Sequence, residues 1–511
     1  MSINRGTRAA MLLFMFGLPL GGAGLISLLP QEEHHFQTIE TDGVSVAVTT
    51  GGPRYAGDLF TYEEVLTIPQ ERVRKRALLS DPTVFTMDED GFFYVVDAGN
   101  HRLVVFDPEG EFVRDFGEEG EEPGQFMTPI LQSVEEGVVT IYDMQIDRVT
   151  RFTTDGALID TIGVPMFHFP FTPIPKKPTV SDYYRAQDEA EEFERTHLMQ
   201  PVGLYERPGG GWIVPEVSFR PRGDALTRTI IYDADLDTVA VMDSDPVRSG
   251  TTVVIRAGGR SSGPGSGSPG LRSGMQSGTP SPAGAVMARE RHRLPFAPFP
   301  AARYVPGRGI VLTTGEEPVL EWYDLEGNLT GRVTIETPPV PVTAEDEQLF
   351  EKGYGNTLLA TEQDDGRTRR AGRNLNQSPR NRREMMEMME AVSARGRLES
   401  MKRYMTLPKT KAFWDHLFVD DSGCTWLRVP ENYNWGPEAV QHRYWIVSPE
   451  GEFLGSTQTP PTFPTRNFQE QFRAVPLEHG HFMSVKRDEA TGAWRLTVYR
   501  VTSAIPGFSY P

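Results

Sequence analysis

The chain has 511 residues, more than the roughly 250–300 over which one hydrophobic core keeps growing, so several domains or a repeat with many small cores is implied. With 38% hydrophobic and 24% charged residues it is ordinary for a soluble globular protein, and its 50 Gly and 41 Pro suit turn-dense β structure with long loops. A formal charge of −19 argues against nucleic acid or anionic lipid as a partner, and a lone cysteine, Cys424, excludes an intramolecular disulfide.

Arg5 and Arg8 precede an apolar stretch from Ala9 to Leu29, after which Gln31 to His35 is abruptly polar. Residues 1–30 therefore read as an export signal, and the protein as periplasmic or extracellular. A stretch of that length also spans a bilayer, so the alternative is a retained anchor in the inner membrane through residues 9–29, although Pro19 and several glycines weaken it as a helix. Within 43–68, Val44–Val48 alternates like a strand and Val65–Ile68 is a second short one, and neither begins a repeat unit. The first is expected to pair with the last strand of the chain, Trp494–Val501, and so remove an exposed sheet edge.

The stretch Gly91–Gly117 alternates apolar runs with turns: Phe92–Val96, then Ala98-Gly99-Asn100, then Leu103–Phe106, then Asp107-Pro-Glu-Gly110, then Phe112–Phe116. Moving forward 46 positions superimposes Asp97 on Asp143, Arg102 on Arg148, Phe106 on Phe152, Gly110 on Gly156 and Gly117 on Gly163. A turn glycine before an apolar run recurs at Gly91, Gly137, Gly211, Gly309, Gly423 and Gly480, and Asp107-Pro-Glu-Gly-Glu-Phe returns as Ser448-Pro-Glu-Gly-Glu-Phe453. Six such units predict an all-β chain folded as a six-bladed β-propeller. The blades are placed at about 82–126, 127–163, 201–244, 296–337, 408–460 and 468–501.

Asp-x-x-Asn-x-Arg followed by Phe-Asp-x-x-Gly and Phe-Gly-x-x-Gly resembles the NHL-repeat class of bacterial, exported, TolB-like six-bladed propellers. The resemblance is specific over about Pro82–Gly163, looser over blades four to six and absent over the insertions. It implies fold rather than function.

Three insertions separate the blades, at 164–200, 245–294 and 338–407. Val164–Pro175 is an apolar, proline-broken loop, and Ser181 caps a helical run to about His197. Residues 258–285 are Gly, Ser and Pro with almost no large apolar side chain, which reads as disorder. Thr343 starts one helix, and Ser378-Pro379 another whose methionines, among them Met385, Met389 and Met401, suit a lid packed on the disc.

In a propeller the connections between blades and the turns after each second strand emerge at one end of the disc, so the insertions crowd one face and suggest a covered pocket at the channel mouth. On that face the sequence places Asp97, Asn100, His101 and Arg102, their copies Asp143 and Arg148, and Glu216, Arg220, Glu316, Arg428, Asn432, Tyr433, Trp435 and Lys486. Arginines among aromatics suit a protein, peptide or carbohydrate ligand, while the same Asp and Arg residues have a purely structural use, bonding turn amides and bridging blades. His479 and His481 flank the sixth turn glycine on the opposite face without a third ligand, so no zinc centre is expected. Calcium on channel carboxylates stays open, because such sites need only convergent oxygens. No hydrolase, metalloprotease or phosphate-loop motif occurs. The leading expectation is thus a noncatalytic, exported ligand- or protein-binding propeller without a required cofactor. The alternative, carried by likeness of fold, is a metal-dependent propeller enzyme, a lactonase-like hydrolase or a lyase, with its site at the channel.

Overall fold

The computed structural model describes residues 33–68, 77–143, 145–146, 148–163, 199–201, 203–219, 224–248, 250–256, 287–294, 296–350, 407–431, 441–462, 477–487 and 494–505. Three strands come before the first repeat: β1 (His35–Thr41), β2 (Val44–Thr50) and β3 (Phe60–Ile68). Blade one is β4 (Pro82–Met87), β5 (Phe93–Asp97), β6 (Arg102–Phe106) and β7 (Phe112–Phe116). Blade two is β8 (Pro129–Glu135), β9 (Val138–Asp143), β10 (Arg148–Thr153) and β11 (Leu158–Gly163). In blade three, β12 (Met199–Pro201) and β13 (Tyr205–Glu206) share the inner position beside β14 (Trp212–Phe219). Next to that strand is β15 (Asp224–Tyr232), which pairs on its other side with β16 (Thr238–Asp243) and β17 (Val247–Arg248).

A separate antiparallel ribbon, β18 (Gly250–Arg256) with β19 (Met287–Arg293), then occupies both ends of the insertion whose middle reads as disordered. That central segment, 258–285, lies outside the described residues, as do the helical runs read at 181–197 and after Ser378. Blade four is β20 (Ala301–Val305), β21 (Gly309–Thr313), β22 (Val319–Tyr323) and β23 (Leu329–Ile335). Blade five is β24 (Leu417–Val419), β25 (Thr425–Val429), β26 (Arg443–Val447) and β27 (Phe453–Gln458). Blade six is β28 (Leu477–Glu478), β29 (His481–Arg487), β30 (Trp494–Ser503) and, as its fourth strand, β3 from the start of the chain. The chain is a six-bladed β-propeller, with one described α-helical segment at 344–350. That segment starts at Thr343, whose Oγ1 accepts the Asp346 N–H at 3.2 Å while Asp346 Oδ2 accepts the Thr343 N–H at 2.9 Å.

The repeat is legible in backbone chemistry. All six turn glycines, Gly91, Gly137, Gly211, Gly309, Gly423 and Gly480, have positive φ. At Gly211 a Cβ would also lie 2.2 Å from the Tyr232 carbonyl oxygen, so a side chain is excluded twice over. The turn between third and fourth strands is held by one side chain: Asp107 Oδ1 accepts the N–H of Glu109 and Glu111, and Ser448 Oγ does the same for Glu450 and Glu452. Apolar clusters fill the interfaces, as where Phe85, Val95 and Val104 of blade one meet Met483, Leu496 and Val498 of blade six.

Ring closure corrects one expectation. Val44–Val48 does not pair with Trp494–Val501; its strand, β2, lies parallel to β23 on the outer edge of blade four, with β1 folded back beyond it. The closing strand is β3, in register with β30 from Phe60 opposite Ser503 to Ile68 opposite Leu496. Side-chain fit explains the exchange. Phe60 stacks on Trp426 at 5.2 Å, Tyr62 Oη lies 3.2 Å from Thr457 Oγ1, and Ile68 enters the interface with blade one. Ala47 instead packs beside Val333 and Gly451, where a Cβ on Gly451 would meet its own at 2.7 Å.

Between β2 and β3 the chain runs along β27 of blade five. The Arg54 N–H donates to the Phe453 carbonyl at 3.0 Å, Tyr55 to Leu454 at 2.9 Å and Leu59 to Ser456 at 2.9 Å. Residues 33–68 thus form one strap across the outer edges of blades four, five and six.

Candidate functional site

The insertion-bearing end of the disc carries the ends of the second strands, and one acidic position recurs there. Opposite the inner-strand prolines Pro82, Pro129 and Pro201 stand Asp97, Asp143 and Glu216, all at most 1% exposed. In blade one the acid is consumed locally. Asp97 Oδ1 accepts the Ser80 and Asp81 N–H groups at 2.8 and 2.9 Å, while Oδ2 accepts Asn100 Nδ2 at 2.7 Å and Arg102 Nη2 at 3.0 Å. Arg102 also pairs with Asp115 at 2.7 Å, and His101 Nδ1 lies 2.9 Å from the Met127 carbonyl oxygen. One knot therefore joins the entry to blade one, its turn and the start of blade two.

Blade two repeats the device. Asp143 accepts the Met127 N–H at 2.6 Å, the Thr128 N–H at 3.1 Å and the Gln145 N–H at 3.0 Å. Arg148 binds the carbonyls of Glu121, Glu122 and Gln125, holding the connection from blade one.

Blade three departs from the pattern. Arg228, directly across from Glu216, turns both ends of its guanidinium to Asp243 at 2.6 and 2.9 Å. Among the described residues, Glu216 Oε1 is left buried without a hydrogen-bond partner. Burial, opposed by Arg228 and assisted by Asp243, pushes this carboxyl up to about 7. Glu216 shares a strand face with Trp212 and Val214, which pack on Tyr142 and Val149, so it lies at the interface of blades two and three.

Blade five contributes a buried ion pair, Arg428 Nε to Asp415 Oδ1 at 2.7 Å, with Asp415 3% exposed. His442 stands near both, and burial together with the Arg428 charge holds its imidazole down to about 3, so it is neutral at physiological pH. On the inner strand of blade four, Arg303 is 8% exposed and burial lowers its pKa; its Nη1 donates to the Ala302 carbonyl at 3.2 Å. Nothing in the sequence singled out Asp415 or Arg303, because Phe-Trp-Asp-His-Leu and Ala-Ala-Arg-Tyr-Val read as mostly apolar strand approaches.

The remaining sequence candidates divide three ways. Glu316 is exposed on the turn between β21 and β22. Lys486 is drawn to Tyr499 Oη and lies 4.0 Å from Glu64 of the closing strand, so it bridges β29, β30 and β3. Arg220, Asn432, Tyr433 and Trp435 lie outside the described residues. On the opposite face, His479 sits 3.8 Å from Asp421. Cys424 is buried at the end of the turn from β24 into β25, and burial pushes its thiol up to about 11. Among the described residues no group of three or more His, Cys, Asp or Glu is arranged to hold a metal ion. Among them, too, no helix is long and apolar enough to cross a membrane, and 9–29 is not among them.

Comparison with known proteins bears on the fold. The family model DUF5128, described as a 6-bladed beta-propeller, matches residues 75–200. Similar solved structures include a Bacteroides fragilis protein described as exported, with 8% identity over 86% of this chain and 94% of that one at a TM-score of 0.36. A member of the DUF4221 family from Bacteroides vulgatus has 10% identity over 88% and 99% of the two chains, also at 0.36. Virginiamycin B lyase from Staphylococcus aureus has 10% identity over 80% and 76% at 0.28. Likeness of this size carries no chemistry across.

Proposed function

We propose that this propeller is an exported, noncatalytic module that binds a peptide, protein or carbohydrate ligand at the insertion-bearing channel mouth. One observation carries the reading. At the position where blades one and two spend an aspartate on their own backbone, blade three holds Glu216 with a buried oxygen that no group among the described residues satisfies. A buried acceptor left unpaired costs about 1–3 kcal/mol, and a ligand donor that filled it would recover that cost on binding. The pair Arg428–Asp415 with the neutral His442 beside it adds a second group of polar side chains, its Asp415 buried. Export rests on the charged start and apolar stretch of residues 1–30, with the periplasm or the exterior as the destination.

Isothermal titration of the full chain against saccharides and short peptides is the test. One class is expected to bind, with affinity about tenfold lower in Glu216→Gln. Calcium or zinc at one equivalent per purified chain, together with turnover of a lactone panel, would favour the metal-dependent enzyme instead.

A further inference from the structure

The outer edges of blades one to three are guarded unevenly. β7 carries Arg114 and Asp115 in mid-strand, and both are engaged: Arg114 Nη1 donates to the Thr154 carbonyl at 2.9 Å, and Asp115 pairs with Arg102 at 2.7 Å. β11 carries Asp160, held by Arg151. Charges set along an edge in this way discourage a further strand from pairing there. β16 has none between Thr238 and Met242. Val239 and Val241, 39% and 50% exposed, share one of its faces, while Ala240 and Met242 on the other pack toward Ile310 and Leu325 of blade four. The strand is thus seated by β15 and by blade four, and its outer edge pairs with no strand among the described residues. What a blade edge of this chain can accept is visible on blade four, where β2 adds in parallel to β23 from Ser45 opposite Gly331 to Thr49 opposite Ile335.

Charge decides what fits β16. Asp233, Asp235 and Asp237 precede the strand, Asp243 ends it and Asp245 follows. Asp233 is spent on the N–H groups of Asp235 and Asp237, and Asp243 on Arg228. Asp235, Asp237 and Asp245 are exposed and make no ion pair among the described residues, and Arg248 is the only cation in the sequence from 233 to 248. Both ends of the apolar edge are therefore acidic. A second copy of this chain is disfavoured as the occupant. Antiparallel pairing of two β16 strands sets Asp235 and Asp237 of one copy against Asp243 and Asp245 of the other, and parallel pairing sets each acid beside its own counterpart. We propose that the outer edge of β16 binds an extended segment of a basic partner protein as a further strand. The segment's apolar residues lie against Val239 and Val241, and its Lys or Arg residues against the acids at either end. This site is on the rim, two strands outward from Glu216 on β14, and is separate from the channel mouth.

The probe is a fluorescein-labelled peptide, Lys-Lys-Val-Thr-Val-Thr-Val-Lys-Lys, titrated with the full chain and read by fluorescence anisotropy. It is expected to bind, and to bind about tenfold more weakly to Val241→Lys, which places a like charge on the edge. Val241 is exposed and outside the apolar clusters, so the variant keeps its fold, which circular dichroism checks. Asp235→Asn combined with Asp237→Asn is expected to weaken binding about threefold at low salt and to flatten its salt dependence. A peptide N-methylated at its five central residues keeps every charge and loses the backbone donors of a strand; it is expected to bind about tenfold more weakly than the parent. Absence of binding, equal binding of the N-methylated peptide, or binding untouched by Val241→Lys overturns the proposal, the last because the peptide would then sit elsewhere on the molecule. Self-association of the chain alone that Val241→Lys abolishes also overturns it, because a second copy would then be the occupant.

Discussion

The two halves of the propeller's rim differ. Blades four, five and six have their outer edges covered by one continuous strap, and blade six is complete only with β3 from it. The outer edges of β7, β11 and β16, in blades one to three, pair with no strand among the described residues, and Leu158, Ile159, Val239 and Val241 there are 39–50% exposed. Among the described residues, then, these three blade edges stand without a covering strand. The strap's work is to hold the ends of the chain together, and it spreads that work over three blades where one closing strand would do.

Truncation breaks this comparison most severely. A chain beginning after Ile68 lacks the fourth strand of blade six and the stack of Phe60 on Trp426. At about 0.5–1.5 kcal/mol for each lost backbone hydrogen bond, that strand accounts for much of a typical stability of about 5–15 kcal/mol. Such a chain is expected to be unfolded or aggregated by circular dichroism and light scattering. A chain beginning at Gly57 keeps β3 and loses only β1, β2 and the contacts of Arg54 and Tyr55, so it should still fold, with a lower melting temperature. Equal behaviour of the two truncations would show that β3 is not what closes the ring.

Much of this architecture is readable in the residues, and its limits are physical. The six turn glycines mark the blades because positive φ is a local backbone demand that glycine meets at least cost. The partner of an N-terminal strand is not a local property. Alternation identified Val44–Val48 as a strand, yet edge choice was decided by Ala47 fitting beside Gly451 and by Phe60 fitting beside Trp426, contacts some 400 residues apart in sequence. The ribbon of β18 and β19 was hidden by the Gly, Ser and Pro tract between its strands. At the channel mouth the acid–arginine pattern was visible, but which acid keeps an unused oxygen depends on Arg228 turning to Asp243.

A single substitution at the strap's seat sharpens the contrast with less damage. Gly451 has φ of 94°, and a Cβ there would lie 2.7 Å from the Ala47 Cβ and 2.8 Å from Val333 Cγ2. Gly451→Val combines a left-handed backbone with overpacking against β2, for a loss of about 3–5 kcal/mol in chemical denaturation. It should also speed tryptic cleavage after Arg54, since the strap is pushed from blade five. Loss of stability with cleavage unchanged would place the strain in the turn alone.

The uncovered half has its own sensitive point, the interface of blades two and three, and there the expected effect is smaller and depends on pH. Burial holds the Glu216 carboxyl up at about 7, against an ordinary value near 4.5. Below pH 4.5 the group is protonated in folded and unfolded chains alike, and its contribution to stability is fully present. As pH rises from about 4.5 to 7 the unfolded chain releases this proton while the folded chain retains it, so stability falls across that window and levels off above it. Each unit of pKa difference corresponds to about 1.4 kcal/mol, so the loss is at most about 3.5 kcal/mol, and less where the interface relaxes around the charge. Glu216→Gln keeps the shape and removes the titration. The difference in unfolding free energy between variant and wild type, measured from pH 4.5 to 8, should therefore move in the variant's favour through that window and then stay flat. A difference independent of pH would mean that Glu216 is ionised and paired in the folded state. The interface of blades two and three would then be as fully satisfied as the knots of Asp97 and Asp143.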